Sequence, residues 1–366
     1  HSGILFKRGN KKHLNQMKVQ NFKNIDLVIV NFYPFEKTVL NTKNENKIIE
    51  NIDIGGPALV RSAAKNFKDV VIITSNHQLE YLAKEMSVNK GSTSLKFRKV
   101  LSQEAFNETA YYDTNISNYF KKNTDNKNPE KITFNGRLIS KLRYGENPHQ
   151  SGAIYTKNNS NELEKLNGKK LSYNNYNDIY YGLDILNTLP KGIGTIIIKH
   201  ANPSGISIDK KQLLSFNQAF NCDPVSAFGG IIICNYKVKY ETAKEINKKF
   251  FEVVVAKNFD SKALSILKKK KNLRIIKYDQ KYVSSEMVIN SLSKNFIFQN
   301  ADNDNLLKEN FKIVSKKKPH KKMFNDLIFA FNVCRFVKSN AIVLTNDSAT
   351  VGIGSGQPSR LDSCEI

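Results

Sequence analysis

Three isoleucines, Ile196 to Ile198, run directly into Lys199 and His200 and then into Asn-Pro-Ser-Gly. The apolar run reads as a fully buried strand, and the Asn-Pro-Ser-Gly as a turn that stops it abruptly. A lysine and a histidine side by side at a buried strand end are costly to place unless they are used. An imidazole titrates near about 6.5, so it takes a proton from an amine at neutral pH, while a desolvated ammonium donates one or steadies an oxyanion. Neighbours on an extended strand point to opposite faces, so both reach one cleft only through a bend. A hydrogen-bonded structural histidine beside a snorkelling lysine remains the alternative.

A second group lies earlier. Asn31 and Tyr33, in NFYPF, follow the apolar stretch Ile25 to Val30, at what reads as the carboxyl end of a strand, where open α/β sheets place ligands. Asp53, Gly55 and Gly56 then precede a helix opened by Pro57, and such a helix start favours a phosphate or a developing negative oxygen. Lys65 lies on that helix, two turns in. Asp53 as a plain cap and Lys65 as a surface charge fit the same spacing. DPVSAFGG (Asp223 to Gly230) is a turn leading into a strand, with a plain turn equally compatible. In VKSNAIVLTNDSATVGIGSGQPSR, Asn340 opens a strand and Arg360 follows a glycine-rich turn, its planar fork suited to carboxylate or phosphate. No GK[ST] follows those glycines and the setting of a GxGxxG fingerprint is missing, which argues against Walker-type and dinucleotide sites. LRYGENPHQ (Leu142 to Gln150) is too polar and aperiodic to be core filler.

The elements that must position these residues alternate apolar runs with helical patterns, the signature of a helix-covered sheet. The expected elements are strands at Ile25–Phe32, Asp69–Ser75, Thr195–Lys199, Gly230–Cys234, Val253–Ala256 and Ala341–Leu344. Expected helices are Pro57–Asn66, Leu101–Phe120, Asp178–Leu189, Gln212–Phe220, Tyr240–Phe250, Lys262–Leu267 and Met323–Lys338, with Ala105, Phe106, Ala110, Ile116 and Phe120 forming the apolar side of the second. The first third reads as doubly wound α/β. The polar stretch Lys121–Lys131 reads as a linker or exposed loop, which puts a domain boundary near Asn135.

Composition bounds the rest. A length of 366 residues predicts two or three domains, and 40% hydrophobic residues argue against whole-chain disorder. Cys222, Cys234, Cys334 and Cys364 have no ligand or framework spacing, so the sequence predicts a reducing compartment and neither disulfides nor zinc. No run approaches the roughly 20 apolar residues that span a bilayer, so the reading is a soluble chain with no membrane partner. The net charge of +24, from 57 Lys+Arg against 33 Asp+Glu, attracts anions. It motivates a rival reading as a nucleic-acid-binding module, but the lysines are scattered and no arginine–aromatic stripe appears, so no nucleic-acid partner is expected. The start at His1 and the abrupt LDSCEI end read as a fragment at both ends.

Together the stretches HSGIL, VNFYPF, ENIDIGGPALVRSAAKN, LRYGENPHQ, KLNGKKLSYNNYND, IIKHANPSG, CDPVSAFGGIII and VKSNAIVLTNDSATVGIGSGQPSRLDS resemble one family over nearly the whole chain. It is the bifunctional purine biosynthesis family that combines phosphoribosylaminoimidazolecarboxamide formyltransferase with IMP cyclohydrolase. The resemblance implies a methylglyoxal-synthase-like cyclohydrolase domain over residues 1–135. Over 136–366 it implies a formyltransferase domain of cytidine-deaminase-like units without their zinc, each domain truncated at its outer end. It further implies 10-formyltetrahydrofolate as co-substrate, no catalytic metal, a homodimer with the transferase site at the subunit interface, and a cytoplasmic enzyme. By the same resemblance Lys199 and His200 are the catalytic pair and Asn340 the oxyanion partner, while Arg143, Tyr144, Gly229, Glu252 and Arg360 hold the ribonucleotide. Asn31, Tyr33, Asp53, Gly55 and Lys65 match part of the cyclohydrolase site. Phe32 and Ser204 stand where the family usually has Leu and Cys. A second rival is an enzyme of this ancestry that keeps one activity only.

Overall fold

A run that is apolar at every position, such as Val70 to Ile73 or Ile196 to Ile198, forms a strand only where both faces are covered. The computed structural model describes residues 1–122, 124, 128–157, 162–189, 192–279, 282–304, 306 and 308–366. The chain divides into two compact units, His1–Arg137 and Leu138–Ile366. The expected linker Lys121–Lys131 lies partly outside the described residues.

In the first unit α1 (Ser2–Leu5) and α2 (Lys11–Val19) precede β1 (Leu27–Ile29). Next come α3 (Phe35–Asn41), α4 (Glu45–Glu50), α5 (Gly55–Lys65), β2 (Val71–Ile73), α6 (His77–Val88) and α7 (Leu95–Lys122). The two strands pair in parallel, Val28 opposite Ile72. Val60, Ala63 and Ala64 of α5, Leu82 of α6, and Leu101 and Ala105 of α7 close over them. The strand expected over Ile25–Phe32 is only three residues long and buries only Val28, with Leu27 37% and Ile29 51% exposed. The expected apolar side of α7 is also corrected. Its buried row is Leu101, Ala105, Thr109 and Tyr112, spaced by four, four and three residues, whereas Phe106, Ala110 and Phe120 face outward. Helix spacing selects the face, and here it admits a threonine and excludes two phenylalanines.

The second unit is built on one mixed sheet. Its region contains β3 (Arg137–Lys141), β4 (Ala153–Thr156), β5 (Leu163–Asn167), α8 (Tyr173–Thr188), β6 (Ile193–Lys199), β7 (Asn202–Asp209), α9 (Gln212–Cys222) and α10 (Pro224–Ala227). Then follow β8 (Ile231–Val238), α11 (Tyr240–Asn247), β9 (Val253–Phe259), α12 (Ser261–Lys268), β10 (Arg274–Tyr278), the hairpin β11 (Met287–Leu292) and β12 (Asn295–Asn300), α13 (Lys321–Cys334), β13 (Ile342–Asn346), β14 (Ala349–Gly354) and α14 (Arg360–Glu365). Among the described residues the large sheet has eight strands in the order β13-β14-β7-β6-β8-β9-β10-β5, with β8, β9 and β10 parallel to one another. Alternation along the central strands splits the core into two layers. Ile196, Ile198, Ile231, Ile233, Val253 and Val255 pack with Ile179, Leu183 and Leu186 of α8 and Phe329 and Val333 of α13. On the other face Ile197, Ile232, Cys234, Val254 and Ala256 pack with Phe216, Ala243, Ile246, Ala263 and Leu267.

Two expectations fail here. Asn-Pro-Ser-Gly does not stop the chain; it opens β7, which pairs antiparallel with β6, Lys199 opposite Asn202. The reversal is made by His200 and Ala201, both at positive φ (56° and 53°), the backbone of a two-residue hairpin turn. Pro203 is tolerated because the ladder is irregular there, the partners of Ile197 and Ile198 being Gly205 and Pro203 with Ser204 passed over. Likewise the Gly-Ile-Gly of the expected glycine-rich turn is the end of β14.

Candidate functional site

The first turn of α8 is fixed by its own side chains. Ser172 accepts from the Asn175 amide at 3.2 Å while Asn175 accepts from the Ser172 amide at 3.2 Å, a reciprocal cap that offsets unpaired helix donors. The Asn175 amide group also donates to Glu252 Oε2 at 3.2 Å. One turn further, Asp178 Oδ1 accepts from the Ala201 amide at 2.6 Å, inside the turn that carries His200. Asp178 is 7% exposed. Burial pushes its carboxyl above 3.8 and Glu252 adds to the rise, against amide bonds from Ala201 and His200 and the proximity of the His200 ring.

Three of the residues expected for formyl transfer, Lys199, Gly229 and Glu252, lie where β6 ends and β8 and β9 begin. Lys199 Nζ donates to the Phe228 carbonyl at 2.8 Å, immediately before Gly229. Gly229 sits at φ +74°, which a side chain resists, and its amide donates to the Phe250 carbonyl at 2.9 Å. The Glu252 amide donates to the Gly230 carbonyl at 3.0 Å, and Glu252 Oε2 lies 3.5 Å from an Arg274 nitrogen. Lys199, Gly229 and Glu252 thus line one end of the sheet, with the exposed His200 at the hairpin tip above Asp178. Phe228 and Phe250, both exposed, pair beside them with ring centroids 5.0 Å apart.

Asn340 reaches this place indirectly. Its side-chain amide donates to the Gln357 and Pro358 carbonyls at 3.2 and 2.6 Å. Gln357 donates to the Ser355 carbonyl at 3.3 Å, Ser355 to Asn202 Oδ1 at 3.1 Å, and Asn202 to the His200 carbonyl at 3.4 Å. A hydrogen-bonded path therefore joins Asn340 to the hairpin tip, although the Asn340 side chain itself is spent on backbone carbonyls. Arg360 opens α14 and is exposed. Arg143 lies against the Tyr144 ring, 5.8 Å from its centroid, in the Leu142–Gln150 loop, which Asn174 Nδ2 ties to α8 through the Glu146 carbonyl at 3.4 Å.

In the first unit Asp53 is engaged as a cap. Its Oδ1 accepts from the Gly56 amide at 2.7 Å and its Oδ2 from the Tyr33 amide at 3.4 Å. Its own amide donates at 2.8 Å to the buried Tyr112 hydroxyl, which donates onward to the Asn51 carbonyl at 3.1 Å. Asp53, Tyr33 and Gly55 are therefore neighbours, and Tyr33 is 56% exposed, with Asn31 exposed two residues before it. Lys65 is not brought to them. It is the last residue of α5, ten residues past Gly55, or about 15 Å along the axis at the usual rise.

Asn175, Asp178, Asn202 and Tyr112 were not singled out by sequence reasoning. The one legible signal was Ser172 followed three residues later by Asn175, a side chain long enough to reach back. Among the described residues no group of three or more His, Cys, Asp or Glu side chains gathers as a metal site requires.

A family model described as the AICARFT/IMPCHase bienzyme matches residues 63–366. The bifunctional purine biosynthesis protein PurH of Leptospira biflexa serovar Patoc is 44% identical over 371 residues, covering 100% of this chain and 72% of that protein. PurH of Clostridium kluyveri is 41% identical over 365 residues (99% and 72%), and that of Oceanobacillus iheyensis 39% over 375 residues (100% and 72%).

Proposed function

The chain belongs to the AICARFT/IMPCHase bienzyme family, and on that premise we propose how its residues divide two reactions between them. It is an enzyme of purine biosynthesis with formyltransferase and cyclohydrolase activities. We assign residues 136–366 to the formyltransferase, as cytidine-deaminase-like units, and 1–135 to the cyclohydrolase, as a methylglyoxal-synthase-like domain.

In formyl transfer the amine of 5-aminoimidazole-4-carboxamide ribonucleotide attacks the formyl carbon of 10-formyltetrahydrofolate. This amine is conjugated with the carboxamide and is a weak nucleophile, so removing its proton matters. His200 takes that proton as the new C–N bond forms. Lys199 steadies the oxyanion until the bond to the folate nitrogen breaks and that nitrogen receives a proton, and Asn340 joins it only on releasing the Gln357 or Pro358 carbonyl. Arg143, Tyr144, Gly229, Glu252 and Arg360 hold the ribonucleotide. In ring closure the carboxamide nitrogen of the formylated product adds to the formyl carbon and water leaves, with Tyr33 and Asp53 acting on protons and Asn31 and Gly55 on binding, while Lys65, at the far end of α5, is given no part in that step. The folate tail and the nucleotide phosphate are anionic, in keeping with the charge of +24. A homodimer in the cytoplasm completes the reading.

The observation that carries it is the gathering of Lys199, Gly229 and Glu252 around one sheet end, beneath the turn bearing His200. A crystal structure with the ribonucleotide bound tests it. The amine is expected within hydrogen-bond reach of the His200 ring, and a base bound elsewhere overturns the assignment.

A further inference from the structure

Asp178 is a buried acid to which neither reaction assigns a part, yet it contacts the one turn that carries the proposed base. Resting on the formyltransferase reading above, we infer that Asp178 is the positioning residue of His200, holding the hairpin tip through the Ala201 amide so that the imidazole faces the substrate amine.

Three observations converge on it. His200 and Ala201 both adopt positive φ without being glycine, a backbone that persists only where its surroundings over-determine it. The 2.6 Å bond from the Ala201 amide to Asp178 Oδ1 is short and made to a side chain held inside the protein. Finally, Asp178 shares a helix face with Asn175, whose amide group holds Glu252 at 3.2 Å, so one turn of α8 aligns the base and a nucleotide-holding residue together. A rigid helix sets this geometry more sharply than the exposed loops around it could.

The test uses the full enzyme, with each half-reaction assayed separately and folding followed by thermal denaturation. Asp178→Ala is expected to lower the kcat of formyl transfer about 100-fold, the cost of misplacing a reacting group by about 1 Å, with KM for the ribonucleotide within about three-fold and ring closure unchanged. Asp178→Asn, which retains an acceptor for the Ala201 amide, is expected to recover most of that rate. A folded Asp178→Ala enzyme with kcat within about three-fold of the parent overturns the inference, as does an Asp178→Asn enzyme as slow as Asp178→Ala. Should Asp178→Ala fail to fold, Asp178→Ser, too short to span to the amide, replaces it with the same expected loss and the same overturning result. His200→Ala is run alongside. If it retains formyl transfer, the function reading itself fails; if it loses transfer while the Asp178 variants do not, only the present inference fails.

Discussion

His200 and Asp178 illustrate how far residue type alone carries. A lysine and a histidine after three isoleucines announce themselves at a strand end, although His200 stands exposed at the hairpin tip and bears no burial cost. Asp178 gives no such signal. It stands among Asn and Tyr residues of a helix, and its partner is a backbone amide 23 positions on that a turn brings back. Its burial has a consequence for stability. The folded-state carboxyl binds its proton more tightly than the unfolded one, burial being the main cause and Glu252 contributing. The stability this contributes is fully present below 3.8 and is lost as pH rises through the raised folded value. Thermal unfolding of the parent and of Asp178→Asn, followed from below 3.8 upward, should therefore diverge, the parent losing stability relative to the variant as pH rises. Parallel curves would contradict the buried-acid account.

At the scale of elements, strands flanked by apolar runs were readable and hairpins were not. β6, β8 and β9 lie over their expected positions, extended by a few residues. β7 was hidden because Pro203 argues against a strand and His-Ala lacks the Asn-Gly signal of a two-residue turn. Each of those two residues bears roughly 1–2 kcal/mol of backbone cost in the left-handed region, offset by the ladder and the Asp178 bond. α7 misled for another reason: its buried face is set by tertiary neighbours, which accept Thr109 and Tyr112 and leave Phe106 outside. β7 also touches α9 closely enough to test. A Cβ at Gly205 would stand 1.8 Å from the Ala219 carbonyl oxygen, so helix and strand must separate to admit it. Gly205→Ala is expected to destabilise the protein by about 3 kcal/mol, at the upper end of overpacking, read as a lowered denaturation midpoint. An unchanged midpoint would mean that the two elements do not pack as described.

For the whole molecule, the residues assigned to the two reactions fall in different units, one set before Arg137 and the other after it. The sequence allowed that separation to be expected through motif order, yet neither composition nor the charge of +24 could assign a reaction to a unit, since a diffuse lysine excess suits any anion. Position within a unit was less legible. Asp53 and Tyr33 are adjacent only because Asp53 caps α5 and catches the Tyr33 amide, while Lys65, close in sequence, is carried to the far end of that helix. Two reactions in two units should respond independently to substitution, and His200→Ala, with formyl transfer and ring closure assayed separately on the full enzyme, tests this most directly. Loss of a general base predicts formyl transfer slower by about 10²–10⁴-fold with ring closure at the parent rate, and Tyr33→Phe the reverse pattern. Equal loss of both activities in His200→Ala, or formyl transfer that survives it, would contradict the account.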